Sequence, residues 1–309
     1  MSDASIHPQL IEAREFAEKL REISRNAPDK VSLAAYVDGV PEIELLANRP
    51  MRLRSVSKTA IGLAYAREVA SNPAFASKTI PLDVLQRLDT GVYDGGAHAA
   101  WQAALSLGTT EVSHETIARG MLQDSSNICT QHMLDALGVE KVNAAVAEHG
   151  IAWQEFGHGF DEVANPLRGT ASDTARLMHG IATKETAKVQ SILSSVAMPF
   201  SVESVEHGGA QGFGKGGSAI IPKRGGGYSH DFNYAWQVVH EGKPVNIALM
   251  TNNLDDFTKL YLDKRFGAFA CESSCNAGFR AECSAMFRAG AAIFAHGGEL
   301  LAKAAQLVR

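Results

Sequence analysis

The sequence predicts an α/β fold: one antiparallel sheet of about five strands, assembled from both ends of the chain around a block of helices. Runs with the two-residue period of a strand occur early and late in the chain, at residues 31–37, 42–46, 234–239 and 245–250. Between about Pro81 and Pro199 the apolar residues instead recur at helical spacing, and glycines divide that stretch into several short helices. The helical block is therefore predicted to be an insert in the sheet.

Helices are expected beside the sheet as well. Apolar residues at helical spacing predict an amphipathic helix from about Pro8 to Arg25 and a closing helix around residues 286–294. Both can pack on the sheet. The predicted division of the chain is an α/β part formed by residues 1–78 and 205–309, and an all-helical part formed by residues 79–204.

Local turn signals connect neighbouring strands. Asp38-Gly39-Val40-Pro41 separates the two early strands, and His240-Glu241-Gly242-Lys243-Pro244 separates the two late ones. Within the helical block, Ser113 is predicted to cap a helix that ends near Gln123, and Thr170 or Ser172 to cap a later one.

Composition excludes several classes of partner. The chain has 309 residues, is 45% hydrophobic and carries a net charge of −5, so it can bury a large core and presents no basic footprint for nucleic acid or anionic lipid. Its first residues lack the basic start and apolar run of a secretory signal, and no stretch is long enough to span a membrane. The sequence thus predicts a cytoplasmic protein that acts on a small molecule, with its oligomeric state left open.

The cysteines give no sign of a metal centre. There are four, Cys129, Cys271, Cys275 and Cys283, and the spacing of the last three matches no zinc pattern. We expect free thiols in a reducing compartment, no metal and no cofactor. The role of the segment from Cys271 to Cys283 stays open.

A serine and a lysine three residues apart stand where an extended segment gives way to a helix. If Ser55 begins that helix, Lys58 lies one turn on and on the same face. Serine needs a neighbouring base to become a nucleophile, and lysine can be that base if burial or a second cation lowers its pKa. Taken alone, the pair equally fits a helix-capping serine beside a solvated lysine.

Two later motifs change this balance. Ser125-Ser126-Asn127 lies between two helical runs, and Lys215-Gly216-Gly217-Ser218 leads into the late strands. Each has an ordinary alternative: Ser125 can cap a helix, Asn127 can occupy a turn, and Lys215 can be a surface charge. The three motifs in this order resemble the S-x-x-K, S-D-N and K-T-G motifs of class A β-lactamases and penicillin-binding proteins.

The resemblance implies a role for each motif residue. Ser55 would be the acylated nucleophile and Lys58 the base that takes its proton, while Ser125 would relay that proton to the leaving group. Lys215 would keep the local potential positive, and Asn127 would hold the amide of the substrate. The resemblance also implies an oxyanion hole.

The oxyanion hole would be formed by the backbone N–H groups of Ser55 and Ser218, with Gly217 beside them on the strand edge. Two residues depart from the family pattern. Ser126 replaces the aspartate of S-D-N and Gly216 replaces the threonine of K-T-G, so substrate recognition is expected to differ from that of the β-lactamases.

A carboxylate that activates water for deacylation is less clearly marked. Class A enzymes use a glutamate on a loop that follows the helical motif, with an asparagine four residues on. Here Asp161 stands four residues before Asn165, and Glu162 is adjacent. Either one is a candidate, and the alternative is a solvated acidic turn.

The sequence therefore predicts a serine hydrolase with a β-lactamase-like fold that forms an acyl-enzyme on an amide, first of all a β-lactam or related cyclic amide. The alternative enzyme is a cytoplasmic esterase, peptidase or transacylase that acts on a small metabolite. A catalytically inactive ligand-binding scaffold is an alternative of another class. A nucleotide-binding loop at residues 209–216 is disfavoured, because Gly216 stands where a P-loop needs Ser or Thr and an extended segment follows.

Overall fold

The computed structural model describes residues 30–86, 94, 96–160, 166–201, 211–222, 228–240 and 243–253. Several predictions lie outside these residues. They are the two terminal helices, both candidate deacylating carboxylates Asp161 and Glu162, and the cysteines that follow Cys129.

The main sheet is antiparallel and has six strands. In chain order they are β1 (Val31–Val37), β2 (Val40–Leu45), β7 (Met198–Ser201), β8 (Gln211–Pro222), β9 (Tyr228–His240) and β10 (Lys243–Thr251). Their spatial order is β2-β1-β10-β9-β8-β7, so the first strand of the chain pairs with the last strand described. The predicted fold class, a sheet built from both ends of the chain, is confirmed.

The early hairpin shows why the sequence folds in this way. Asp38 and Gly39 both have positive φ, 51° and 78°, which is the backbone of the tight turn that matches strand twist. Strand β1 is buried along most of its length, with Val31 and Ala34 fully buried. A strand covered on both faces belongs in the interior of a sheet, between β2 and β10.

Four further strands form two small antiparallel pairs. They are β3 (Met51–Arg52) with β6 (Arg168–Gly169), and β4 (Thr79–Pro81) with β5 (Glu111–Ser113). The helices, in chain order, are α1 (Lys58–Ser71), α2 (Ala74–Ser77), α3 (Leu82–Gln86), α4 (Ala97–Ala103), α5 (His114–Leu122), α6 (Asn127–Leu137), α7 (Val139–Ala147), α8 (Ala171–Lys184) and α9 (Ala187–Val196).

Helix α1 is the centre of the packing. Its residues from Lys58 to Ala66 are all buried, and it packs against α5, α6, α7 and α9. A helix buried on every side must be apolar or small around its whole circumference, which the sequence of α1 largely satisfies. Lys58 is the exception, because this lysine is fully buried at the start of the helix.

Helix α8 joins the helical block to the sheet. It packs across β1, β9 and β10, and Thr170 caps it by accepting a hydrogen bond from the backbone N–H of Asp173 at 2.9 Å. Ser113 likewise caps α5, accepting from the N–H of Thr116 at 3.2 Å. Both capping residues were among those predicted. The division of the chain at residues 78/79 and 204/205 stays a prediction.

Strand β7 differs from the sequence-based expectation. The stretch up to about Pro199 was predicted to be helical, but Met198–Ser201 forms an edge strand on β8. Four residues are too few to show a strand period, and their extended backbone is stabilised by a partner that lies later in the chain. The sheet consequently has six strands where about five were expected.

Candidate active site

Ser55 lies in a short 3₁₀ helix, Arg54–Ser57, that leads directly into α1. Side chains three residues apart in a 3₁₀ helix lie one above the other, so Ser55 and Lys58 share a side. Ser55 is 6% exposed and Lys58 fully buried. The hydroxyl and the amine are therefore held on one face of a nearly dry turn, and this turn packs against β8 and β9.

Three neutral oxygen atoms accept hydrogen bonds from the Lys58 amine. Its Nζ donates to the backbone O of Ser125 at 2.7 Å, to Ser125 Oγ at 3.2 Å and to Asn127 Oδ1 at 2.7 Å. The ring of Phe160 covers the same Nζ, with its centroid 5.3 Å away. The loop before α6 thus brings the second motif onto the first.

A second amine reaches the same hydroxyl. Lys215 Nζ donates to Ser125 Oγ at 2.9 Å and to the backbone O of Gly216 at 2.9 Å, and Lys215 is 3% exposed. Ser125 Oγ therefore accepts from two lysines that come from opposite ends of the chain. Ser125 itself has a φ of 65°, a conformation that a non-glycine residue keeps only when its surroundings hold it.

The edge of β8 runs directly past Ser55. Strand β7 pairs with β8 only as far as Gly214, so the β8 edge beyond Gly214 is not paired with β7. A Cβ atom placed on Gly217 would lie 2.6 Å from the backbone N of Ser55 and 3.0 Å from that of Val56. Only glycine allows this approach. Ser218 follows next, opposite Phe232 of β9.

Ser126 stands where the S-D-N motif has aspartate, and it makes contacts that the sequence did not reveal. Ser126 caps α6, accepting from the N–H of Cys129 at 3.2 Å, and its Oγ lies 2.9 Å from His98 Nδ1. The carboxylate of Asp94 accepts from the N–H of Asn127 at 3.2 Å and from that of His98 at 3.1 Å. A carboxylate from another loop thus supports the Asn127 backbone, and no local pattern in the sequence indicates this contact because Asp94 and Asn127 are 33 residues apart.

The thiol of Cys129, in the first turn of α6, is not reactive. Cys129 is fully buried, and burial raises the pKa of its thiol to about 12, although the hydrogen bond from Ser126 acts in the opposite direction. A thiol that stays protonated is not a nucleophile. Among the described residues, no group of three or more His, Cys, Asp or Glu side chains is arranged to hold a metal ion.

The structure brings together the predicted site residues that it describes. Ser125 and Asn127 meet Lys58, Lys215 meets Ser125, and Gly217 meets Ser55; their catalytic roles stay predictions. The nucleotide-binding alternative required a helix after Lys215, and residues 211–222 form one continuous strand instead. Within the ranges described, no helix is long and apolar enough to cross a membrane.

Ser55 lies at the edge of β8 with Lys58 three residues on, and a second serine, Ser125, accepts hydrogen bonds from Lys58 and Lys215. This is the arrangement of a serine hydrolase that uses lysine in place of histidine. A model of the beta-lactamase enzyme family matches residues 15–259. The chain therefore belongs to the beta-lactamase enzyme family.

Solved structures share the fold at low sequence identity. A β-lactamase from Chitinophaga pinensis is 16% identical with a TM-score of 0.60, and the match covers 81% of this chain and 99% of that chain. A class A β-lactamase from Mycobacterium abscessus is 14% identical with a TM-score of 0.59, covering 90% and 98%. PBP-A, solved as a mutant in an acyl-enzyme complex with penicillin G, is 14% identical with a TM-score of 0.55, covering 89% and 94%. No curated protein matches the chain.

Proposed function

We propose that this protein cleaves an amide through an acyl-enzyme on Ser55. The observation that carries the proposal is the shared hydrogen bonding of Ser125 Oγ, which accepts from Lys58 at 3.2 Å and from Lys215 at 2.9 Å. A hydroxyl that is bonded to two amines can take a proton from one of them and pass its own proton to the substrate. Such a relay is what a serine–lysine mechanism needs beside its nucleophile.

Lys58 is proposed as the base in the first step. Complete burial and the presence of a second amine on the same hydroxyl both disfavour a charged Lys58. The neutral amine has two N–H donors, which keep the 2.7 Å bonds to Ser125 O and Asn127 Oδ1, and it gives up the longer bond to Ser125 Oγ. Its lone pair takes the proton of Ser55 Oγ, and that oxygen then bonds to the carbonyl carbon of the substrate. The carbonyl double bond becomes a single bond, and its electron pair moves to the oxygen.

The negative charge on that oxygen needs donors that are already in place. The backbone N–H groups of Ser55 and Ser218 are proposed as these donors, since Gly217 brings the β8 edge against the backbone N of Ser55. When the tetrahedral species collapses, the carbon–nitrogen bond breaks. Ser125 gives its proton to the departing nitrogen and regains one from the Lys58 ammonium, while Lys215 keeps the surroundings positive and Asn127 binds the amide of the substrate.

The proposed substrate is a β-lactam or a related small cyclic amide. Membership of the beta-lactamase enzyme family supports this choice, and PBP-A, which shares the fold, was solved as an acyl-enzyme with penicillin G. Asp161 and Glu162 are the proposed candidates for activating the water that releases the acyl group.

A second candidate is an esterase, peptidase or transacylase that acts on a small metabolite. It is favoured by Gly216, which removes a hydroxyl from the strand that would contact the substrate, and by Phe160, whose ring covers the Lys58 amine at 5.3 Å. An apolar ring at that place limits the access of water to the amine, and a slowly hydrolysed acyl group can pass to another acceptor.

The test is an intact-mass time course with penicillin G, comparing the protein with its Ser55→Ala variant. We expect a mass increase of one penicillin only when Ser55 is present. Decay of the adduct with release of the opened product supports the hydrolase, and a persistent adduct that leaves on addition of an amine or alcohol supports the transacylase. An adduct of equal yield in Ser55→Ala would refute the mechanism, and neither adduct nor turnover with penicillins, esters or small peptides would refute the activity.

A further inference from the structure

The residue immediately before the nucleophile has an unusual backbone. Arg54 has a φ of 51°, in the left-handed region that a non-glycine residue seldom occupies, and its side chain is 2% exposed. The peptide unit between Arg54 and Ser55 carries the Ser55 N–H, and its direction depends on the backbone angles of Arg54. Whatever holds Arg54 in this conformation therefore also aims that N–H.

The group that holds Arg54 is a carboxylate on strand β9. Arg54 Nε donates to Asp231 Oδ2 at 2.8 Å, and Arg54 Nη2 lies 2.8 Å from the same oxygen. Asp231 is fully buried. A buried carboxylate beside a guanidinium forms a strong, charge-assisted contact because little water screens it.

A second arginine binds the same carboxylate. Arg52 Nη2 donates to Asp231 Oδ1 at 3.0 Å, and Arg52 Nε lies 3.0 Å from Oδ2. The backbone N–H of Asn253 adds a bond to Oδ1 at 2.8 Å. Asp231 is thus bonded to the two residues on either side of Leu53, so both ends of this short segment are fixed to one point.

The same face of β9 also fixes the backbone of the segment. Asn233, two residues after Asp231, donates from Nδ2 to the backbone O of Arg52 and accepts from the N–H of Thr251. Asn233 stands opposite Gly217 in the sheet register. The segment before Ser55 and the β8 edge beside Ser55 are therefore both held by the same part of β9.

We propose that Asp231 is a positioning residue: by bonding Arg52 and Arg54 together it keeps Arg54 left-handed and directs the Ser55 N–H toward the oxyanion that forms during acylation. The inference rests on the proposed function for its catalytic consequence. Without the carboxylate, Arg54 can relax toward an ordinary backbone conformation and the Ser55 N–H turns away. Binding of the substrate before reaction needs no such alignment, so it is acylation that should suffer.

The experiment compares Asp231→Asn with Glu185→Gln. Glu185 is a matched control because it also pairs with a partly buried arginine, Arg67, toward the far end of α1. For Asp231→Asn we expect the acylation rate constant with penicillin G to fall about ten- to a hundredfold, as small misplacements of reacting groups do, with the affinity for the unreacted substrate unchanged. Glu185→Gln should acylate at the rate of the unmodified protein.

Hydrogen exchange of the backbone at residues 53–57, measured without substrate, gives a second readout that needs no activity. We expect exchange in this segment to rise more in Asp231→Asn than in Glu185→Gln, where any rise follows the lower global stability and is shared by the other buried residues. Unchanged acylation and exchange in Asp231→Asn, or equal changes in both variants, would overturn the proposal. If Asp231→Asn does not fold, Arg54→Lys is used instead, and we expect a smaller fall in its acylation rate. An Arg54→Lys protein that acylates and exchanges like the unmodified protein would contradict the proposal.

The two hypotheses fail in different ways. If the unmodified protein gives neither adduct nor turnover, the proposed function is wrong, and the exchange measurement alone decides whether Asp231 orders the segment. If Ser55 is labelled normally and Asp231→Asn behaves as the unmodified protein does, only the positioning role is wrong.

Discussion

Helix α1 carries a cationic side chain near each end, and the two lie in opposite surroundings. Near the end of the helix, Arg67 pairs with carboxylates: Nη1 lies 2.7 Å from Glu148, and Nη2 contacts Glu185. At its start, Lys58 donates to oxygen atoms of Ser125 and Asn127, which carry no charge. One helix therefore carries an arginine paired with carboxylates and a lysine that donates to a serine and an asparagine.

The difference distinguishes a cation with a structural role from the one proposed to exchange a proton. Burial alone would lower the pKa of Arg67, but the hydrogen bond and charge of Glu185 outweigh it and raise that pKa. For Glu185 burial acts to raise the pKa, but the hydrogen bonds and charges of Arg67 and His149 together outweigh burial and lower that pKa. The Arg67–Glu185 pair stays ionised and stabilises the fold, whereas Lys58, whose amine donates to Ser125 and Asn127, is the proposed base.

The largest expected effect comes from removing the cation at the start of the helix. Lys58→Ala should lower the acylation rate by about 10²–10⁴-fold, because the proposed general base is lost. Arg67→Met is the comparison, and it should lower stability while leaving the rate of the folded protein unchanged. Rates are measured by intact mass with penicillin G. Equal losses of rate in both variants would remove the distinction between the two ends.

The next effect tests the approach of the strand edge to Ser55. In Gly217→Ala the new methyl group would lie 2.6 Å from the Ser55 nitrogen. Backbone atoms cannot move aside cheaply, so we expect roughly a 10²-fold fall in acylation through loss of an oxyanion donor. Gly157→Ala is the control, since its new methyl group meets nothing within 4 Å. A Gly217→Ala protein that acylates normally would contradict the proposed oxyanion hole.

Breaking the pair at the far end should cost stability. Glu185→Gln removes one of the two carboxylates that bind Arg67 and the carboxylate that binds His149, and the side chain of Glu185 is 8% exposed. We expect the free energy of unfolding to fall by about 2 kcal/mol, below the value for a fully buried pair because Arg67 is partly solvated. Urea unfolding at pH 7 measures it. A change below a few tenths of a kcal/mol would mean that this cluster is not a structural one.

The smallest effect is a pH dependence outside both clusters. His132 packs edge-on against His114, and burial first, then the charge of His114, lowers the pKa of His132 to about 4. The unfolded chain takes up this proton near pH 6.5, so stability is present above that pH and is lost as the pH falls toward 4. Allowing for solvent screening, we expect a loss of roughly 1 kcal/mol between pH 7 and pH 5.

His132→Gln supplies the control for that pH dependence. Its free energy of unfolding, measured by urea at pH 7, 6 and 5, should change less with pH than that of the unmodified protein. An identical pH slope in the two proteins would show that His132 does not titrate as described.

Features set by neighbouring residues could be predicted from the sequence, and those set by distant contacts could not. Strand β1 was predicted with its bounds, and the Ser113 cap and the turn at Asp38 and Gly39 were found because each depends on a few adjacent side chains. Strand β7 was missed because its extended form depends on β8.

The same distinction applies to the site. The spacing of Ser55 and Lys58 is local, so a single helical turn places them together. Arg54 and Asp231 are separated by 177 residues, and neither stands in a motif. Their contact follows from the pairing of β8 with β9 and from the packing of the 3₁₀ helix on both strands, which no periodicity in the sequence reports.

The strand order also sets the order of folding. Strand β1 lies between β2 and β10, so its second edge stays unpaired until the chain has been synthesised past residue 251. The helical segments between α1 and α9 rely more on contacts close in sequence and can form earlier, whereas a sheet closed by such distant pairing forms slowly. Because β8 is part of this sheet, we expect the proposed oxyanion site beside Ser55 to be completed among the last steps, and a nascent chain should bear an unreactive serine until then.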